Sequence, residues 1–184
     1  MDDQNLTAKV DSAIEKLKGL NEREIYYEVS RQQVERIKKQ AISSALASLS
    51  PAERSAAERD MNSKEGIYGP ISGLLSHVKE PSEHEVLYGI GKLRPTPENG
   101  EVLVKRILEQ LKGLLCDDWH YCEKRKEYKD DLKLVATAAA IGVKTLSLEI
   151  GIVTAAILVA VYKGPDFFCN CSQREMDQSK EAKS

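Results

Sequence analysis

The N-terminal third of the chain places apolar residues at helical spacing. Steps of four, four and three residues put one set on a single face of a first helix: Leu6, Val10, Ile14 and Leu17. Asn21 then stands three residues before Glu24, the capping-box spacing at which each side chain accepts a hydrogen bond from the other residue's backbone amide. Ser50 and Glu53 repeat that spacing. These patterns predict amphipathic helices across residues 1–62.

The next segment, residues 63–100, lacks a sustained helical period. Ten glycines and prolines interrupt it, so we expect an irregular connection with only short helical turns. Residues 89–92 (GIGK) lack the remaining spacing of a nucleotide-binding loop. His77 and His84 also lie in this segment, and we expect both to be exposed and without partners.

A helical period returns at residue 101. The apolar positions of this segment fall on one face: Val102, Ile107, Leu111, Leu114, Leu115 and Trp119. The pattern predicts a long amphipathic helix that can continue through the charged residues 123–129 to Asp130. Because acidic residues are interspersed with the basic ones in that charged run, we interpret it as a solvated helix face.

The stretch from Leu132 to Tyr162 is strongly apolar and carries only Lys133, Lys144 and Glu149 as charges. A helix that crosses a bilayer needs about 20 apolar residues, and the two uncharged runs within this stretch have ten and thirteen. A continuous span would place Lys144 and Glu149 near mid-membrane, where each charge costs about 2.5 to 3.5 kcal/mol of insertion free energy. The sequence therefore favours two buried helices, a hairpin hinged between those two charges, over a membrane span or a buried strand.

Length, composition and charge fit a globular protein. The chain has 184 residues, of which 41% are hydrophobic and 30% charged, and its net charge is -2. This balance gives no field that would concentrate nucleic acid or anionic lipid, so nucleic acid is not an expected partner. The first residues are acidic and polar where a secretory signal would be basic and then apolar, which predicts a cytoplasmic protein.

The four cysteines are expected to be reduced in that compartment, and are then thiols or metal ligands. Cys116 and His120 would lie about 40° apart around one helix, so both can reach the same ion. With the later pair, they form a candidate tetrahedral zinc set of Cys116, His120, Cys169 and Cys171. The alternative is that Cys116 and Cys122 are small buried residues and that the later pair are solvent-accessible free thiols.

No catalytic or cofactor-binding residues are predicted, because Cys116 beside His120 lacks an oxyanion donor and an orienting third group. We therefore expect an all-α protein that is not an enzyme, an irregular helical bundle with a buried C-terminal apolar hairpin. Its single domain would span residues 1–171. This domain would comprise N-terminal helices (1–62), an irregular middle (63–100) and a long helix with the apolar hairpin (101–163). A disordered polar tail would follow at residues 172–184.

The predicted function is a protein-interaction or assembly component. A face of the N-terminal helices or of the hairpin would bind a protein partner or a second copy. Two alternatives stay open: a membrane-associated or membrane-inserting protein that uses Leu132 to Tyr162, and a small zinc-stabilised module built on the cysteines.

Overall fold

The computed structural model describes residues 3–63, 69–128, 130–146 and 148–173, and within these ranges it contains helices and no strand. The all-α prediction is confirmed. Ten α-helices and one π-helical turn follow one another in these ranges: α1 (Asp3–Leu17), α2 (Glu22–Ser48), α3 (Pro51–Ser63), α4 (Gly69–Leu75), α5 (Pro81–Gly91), α6 (Pro97–Lys112), the π-helical turn (Gly113–Asp118), α7 (Tyr121–Glu127), α8 (Asp131–Leu146), α9 (Ile150–Lys163) and α10 (Pro165–Cys169).

The helices group into two compact units, where the sequence predicted one domain through residue 171. The first unit combines Met1–Ser30 with Thr96–Ser184, and the second consists of Arg31–Pro95. Helix α2 therefore contributes its first turns to one unit and its remainder to the other. Of the predicted disordered tail, residues 174–184 lie outside the described residues.

The core of the first unit is built around α8 and α9, which pack against each other at the place where the hairpin was predicted. Every residue of α9 from 152 to 161 is buried. Helices α1, α6 and α10 cover it, and the predicted apolar face of α1 is at most 4% exposed at each of its positions: Leu6, Val10, Ile14 and Leu17. Full burial of such a side chain contributes about 1.5 to 3 kcal/mol to the free energy of unfolding. No helix in the described part of the chain has both the length and the apolarity needed to cross a membrane.

The predicted long helix from residue 101 to Asp130 is wrong in its second half. Helix α6 passes into the π-helical turn, and the chain then reverses at His120, which has a left-handed backbone with φ 54°. A helix cannot continue through such a residue, so α7 begins anew at Tyr121. The break lets Tyr121 become fully buried, with 1% of its surface exposed.

The middle segment is more helical than predicted. Helices α4 and α5 and the start of α6 lie within residues 63–100, and α5 and α6 each begin at a proline. Proline at a first helical position loses no hydrogen bond and presets the backbone angle. Thr96 caps α6, because its Oγ1 accepts a hydrogen bond from the Asn99 amide at 3.2 Å. The prolines of this segment therefore start helices as well as separate them.

Both capping boxes are confirmed. The Asn21 amide donates to Glu24 Oε2 at 2.7 Å, and the Glu24 amide donates to Asn21 Oδ1 at 3.1 Å. The amides of Ser50 and Glu53 donate reciprocally in the same way, at 3.1 and 3.5 Å. These pairs fix the starts of α2 and α3, since each satisfies two amides that have no partner within the helix.

The second unit has its own small core beneath α3, α4 and α5, formed by Ala45, Ala57, Ile71, Leu74 and Leu87. His77 is not free, contrary to expectation: its Nε2 lies 2.8 Å from Asp60 Oδ2, and its side chain is only 20% exposed. Gly73 packs directly on α3, because a Cβ at this position would lie 2.7 Å from the Asp60 backbone.

Within the first unit, α6 and the start of α2 approach so closely that only glycine fits between them. A Cβ on Gly100 would lie 1.8 Å from the carbonyl oxygen of Tyr26. Backbone atoms form this contact, so no side-chain rotation can relieve it.

We expect Gly100→Ala to lower the free energy of unfolding by about 2 to 4 kcal/mol, because α2 and α6 must separate to admit the methyl group. Gly113→Ala is the matched control, since a Cβ there meets no atom within 4 Å, and alanine in a helical backbone gains about 0.5 to 1 kcal/mol. Urea denaturation of both variants measures the difference. Equal stability of the two variants would contradict the close approach.

A second contact joins the start of α2 to the end of α9. Lys163 Nζ lies 2.6 Å from Glu22 Oε1, which also accepts a hydrogen bond from the Tyr26 hydroxyl at 2.6 Å. The hydrogen bond with Lys163, followed by that with Tyr26, lowers the pKa of Glu22 below its ordinary value. Burial, followed by the hydrogen bond to Glu22, raises the pKa of Tyr26.

Because the folded-state pKa of Glu22 is lowered, its contribution to stability is complete above the ordinary value of 4.5 and disappears as the pH falls through the folded pKa. The Glu22 side chain is 47% exposed, so we expect Glu22→Gln to cost only about 0.5 kcal/mol at pH 7. The difference in free energy of unfolding from the unsubstituted chain should shrink as the pH falls below 4.5. Glu98→Gln, also in a first helical turn, is the control, and a gap that stays constant with pH would refute the assignment.

Candidate functional site

The four cysteines form two disulfides in the first unit. Cys116 is bonded to Cys169, and Cys122 is bonded to Cys171. The expectation of free, accessible thiols at the later pair is therefore wrong: Cys169 is 1% exposed and Cys171 is 5% exposed. Cys116 was expected to be buried, and it is, with 2% of its surface exposed.

Two left-handed residues bring these cysteines together. His120 lies between Cys116 and Cys122, and Asn170, with φ 49°, lies between Cys169 and Cys171. On one continuous helix the first two thiols would point about 120° apart. The reversal at His120 instead lets each thiol meet one of the later cysteines. No residue in this segment signals that reversal as a glycine would, so sequence reasoning missed it.

The predicted zinc set is divided by this pairing. Cys116 and Cys169 are joined to each other, whereas Cys171 is joined to Cys122, and His120 occupies the turn before α7. Within the ranges that the structure describes, no three His, Cys, Asp or Glu side chains are grouped to hold a metal ion. Zinc binding by the reduced chain stays a prediction that the oxidised form does not test.

The disulfides lie in different surroundings. Cys116–Cys169 belongs to the core, where Tyr121 and Phe168 meet edge to face with ring centroids 6.1 Å apart. Cys122–Cys171 instead lines an open cavity of about 370 Å³ together with Arg125, Lys126, Tyr128, Asp131 and Ser172. This cavity is called the disulfide cavity below.

The residues directly after α10 are also held by a hydrogen-bonded acid. The Ser172 amide and hydroxyl donate to the Asp166 carboxylate at 2.7 and 2.6 Å. These two bonds, the side-chain one first, lower the pKa of Asp166. Cys116–Cys169 thus attaches the end of α10, whereas Cys122–Cys171 and the exposed bonds to Asp166 attach the residues that follow it.

The second unit carries an apolar groove between α2 and α5. Its volume is about 300 Å³, and its lining is mainly apolar: Ala41, Ala45, Ser82, Glu83, Val86, Leu87 and Ile90. Val86 is 60% exposed although it is a large apolar residue, and Tyr88 is 47% exposed. The small side chains of α2 leave room along the groove. This surface is called the α2–α5 groove below.

Charges are distributed unevenly along the α2–α5 groove. Helix α5 begins beside Glu80 and Glu83 and is followed by Lys92 and Arg94. Burial and then the charge of Arg94 lower the pKa of Lys38 of α2. Acidic residues therefore flank the start of α5, and basic residues follow its end.

Comparisons of this chain with protein-family models, curated proteins and solved structures found no match. Function is therefore argued from the geometry of the chain itself. Its two distinctive features are the disulfide pairs of the first unit and the α2–α5 groove of the second.

The disulfides close nearly the same loop, with sequence separations of 53 and 49 residues. Closing the first such loop removes about 4 kcal/mol of unfolded-state entropy, whereas the second closes little further chain. We expect the variant with all four cysteines changed to alanine to lose about 3 kcal/mol more than the sum of the losses in the two pairwise variants. Denaturant unfolding of C116A/C169A, C122A/C171A and the fourfold variant measures this excess, and simple additivity would disprove it.

Proposed function

We propose that this protein is a non-enzymatic interaction component whose α2–α5 groove binds an amphipathic helix of a protein partner. The observation that carries the proposal is Val86, a large apolar side chain that is 60% exposed at the edge of an apolar groove. Exposed apolar surface beside a cavity is typical of a binding site for a partner.

The apolar hairpin is a poorer candidate for the docking surface. Residues 152–161 of α9 are buried, and α1, α6, α8 and α10 of the same unit pack against this helix, so it offers little surface to a partner. The groove differs because its apolar lining faces open space. This contrast moves the proposed interface from the hairpin to α2 and α5.

A helix suits the α2–α5 groove in shape and in charge. Ala41 and Ala45 lie one turn apart on α2, and such small residues let another helix approach closely. The partner would place apolar residues at helical spacing against Val86 and Ile90, which lie one turn apart on α5. It would also carry basic residues towards Glu83 and acidic residues towards Lys38 and Arg94, because opposite charges would then face each other at both ends.

Photo-crosslinking from the groove tests this proposal. With a photoreactive amino acid in place of Val86, we expect a defined adduct in the native cell, and the crosslinked segment of the partner should be an amphipathic helix with oppositely charged ends. Val102 is the matched control position, since it is 58% exposed on α6 of the other unit.

Val86→Asp should weaken binding of the purified partner by at least tenfold, on the order of 1.4 kcal/mol, because it places a charge against apolar surface. Val102→Asp should leave the affinity unchanged. Identical adducts at positions 86 and 102, no adduct at 86, or an adduct to a second copy of this chain would each overturn the proposed partner helix.

The remaining alternatives are separate proposals. Membrane association through Leu132 to Tyr162 would be tested by liposome flotation, and a zinc-stabilised module by the metal content of the reduced chain. No contact in the described residues favours either of them over the groove.

A further inference from the structure

The two disulfides offer very different access to a reacting thiol. Cys116 and Cys169 are both at most 2% exposed and lie in the apolar core beside Tyr121 and Phe168. Cys171 is likewise a core residue, 5% exposed, but its partner Cys122 is only partly buried, and the bond between them forms part of the wall of the disulfide cavity. Thiol exchange requires an incoming sulfur to reach one sulfur of the bond, and only the second bond lines that open cavity.

The disulfide cavity has room and charge for such an encounter. Its volume of about 370 Å³ falls within the range of small-molecule sites. Arg125 and Lys126 follow Cys122 by three and four residues, so they share its face of α7. Cations beside a cysteine favour its thiolate, which is the form in which Cys122 is released at the end of the exchange. Asp131 of the lining and Asp166 beside Ser172 oppose these cations, so the field is mixed.

We propose that Cys122–Cys171 is a thiol-exchange site, at which a dithiol reductant opens this bond through the disulfide cavity while Cys116–Cys169 stays oxidised. One thiolate of the dithiol attacks Cys122 Sγ, and Cys171 leaves as a thiolate. The second thiolate of the dithiol then attacks the reductant sulfur of the mixed disulfide and releases Cys122. The dithiol becomes a cyclic or linked disulfide, and its two electrons and two protons end on the two cysteines.

The exchange would release residues 170–173 from α7 while the core disulfide stays intact. Cys116–Cys169 still closes a 53-residue separation after the other bond opens. Among the described residues, 170–173 then keep non-covalent contacts with the unit, such as the exposed bonds between Asp166 and Ser172. The site therefore acts as a redox-controlled attachment of the C-terminal segment to α7.

Timed reduction of the full chain tests the proposal under native conditions. The oxidised protein is treated with dithiothreitol without denaturant, quenched with iodoacetamide at intervals and mapped by mass spectrometry. We expect Cys122 and Cys171 to be alkylated at least about tenfold faster than Cys116 and Cys169, because access limits the exchange rate. Equal rates, or faster reduction of the core pair, would overturn the inference.

Two variants separate local exchange from global unfolding. In C122S/C171S, the remaining core disulfide should resist dithiothreitol as it does in the unsubstituted chain, and circular dichroism should show unchanged helix content. In the unsubstituted chain, opening of the first bond should likewise leave the circular dichroism unchanged. Loss of helix in step with alkylation of Cys122 would mean that reduction proceeds through unfolding, and this result would also refute an exchange site. Neither readout depends on the partner proposed for the α2–α5 groove.

Discussion

The fold of the first unit depends on one constraint: α9 has no polar face that could be exposed to water. Ten consecutive residues of this helix are buried, and a helix that is apolar all round must be surrounded. Helix α8 covers one side, and α1, α6 and α10 cover others. These neighbouring helices are amphipathic, and their apolar faces pack against α9. Segments from both ends of the chain therefore belong to one unit, although residues 31–95 lie between them.

Small residues set how closely this packing can proceed. A Cβ on Gly142 of α8 would lie 3.0 Å from a Val153 methyl group and 3.2 Å from Leu111, so glycine there lets α8, α9 and α6 meet. Gly100 performs the same role between α6 and the start of α2, where the contact is with backbone. The packing of the core thus depends on glycines at the close helix contacts as well as on its large apolar side chains.

Local patterns predicted the elements of this structure better than their connections. The face of α1, the two capping boxes and the interruption between α8 and α9 each depend on residues close together in sequence, and each signal is physical: helical period, amide satisfaction or a pair of charges. The turn at His120 has no such local signal, since no glycine or proline interrupts residues 114–130. The prediction of thiols depended instead on an expected reducing compartment, which residue geometry does not reveal.

The candidate sites were harder to predict than the helices for the same reason. The α2–α5 groove joins residues 41–45 to residues 82–90, and the disulfide cavity joins residues 122–131 to residues 171 and 172. Hydrophobic periodicity and capping patterns predict single helices, whereas a groove forms between two helices that are distant in sequence. Val86 illustrates the difference. It lines the groove together with Ala41 and Ala45 of α2 and remains 60% exposed beside these small side chains. The surface available for binding therefore arises where a large apolar residue faces small ones, in contrast to residues 152–161 of α9, which are all buried.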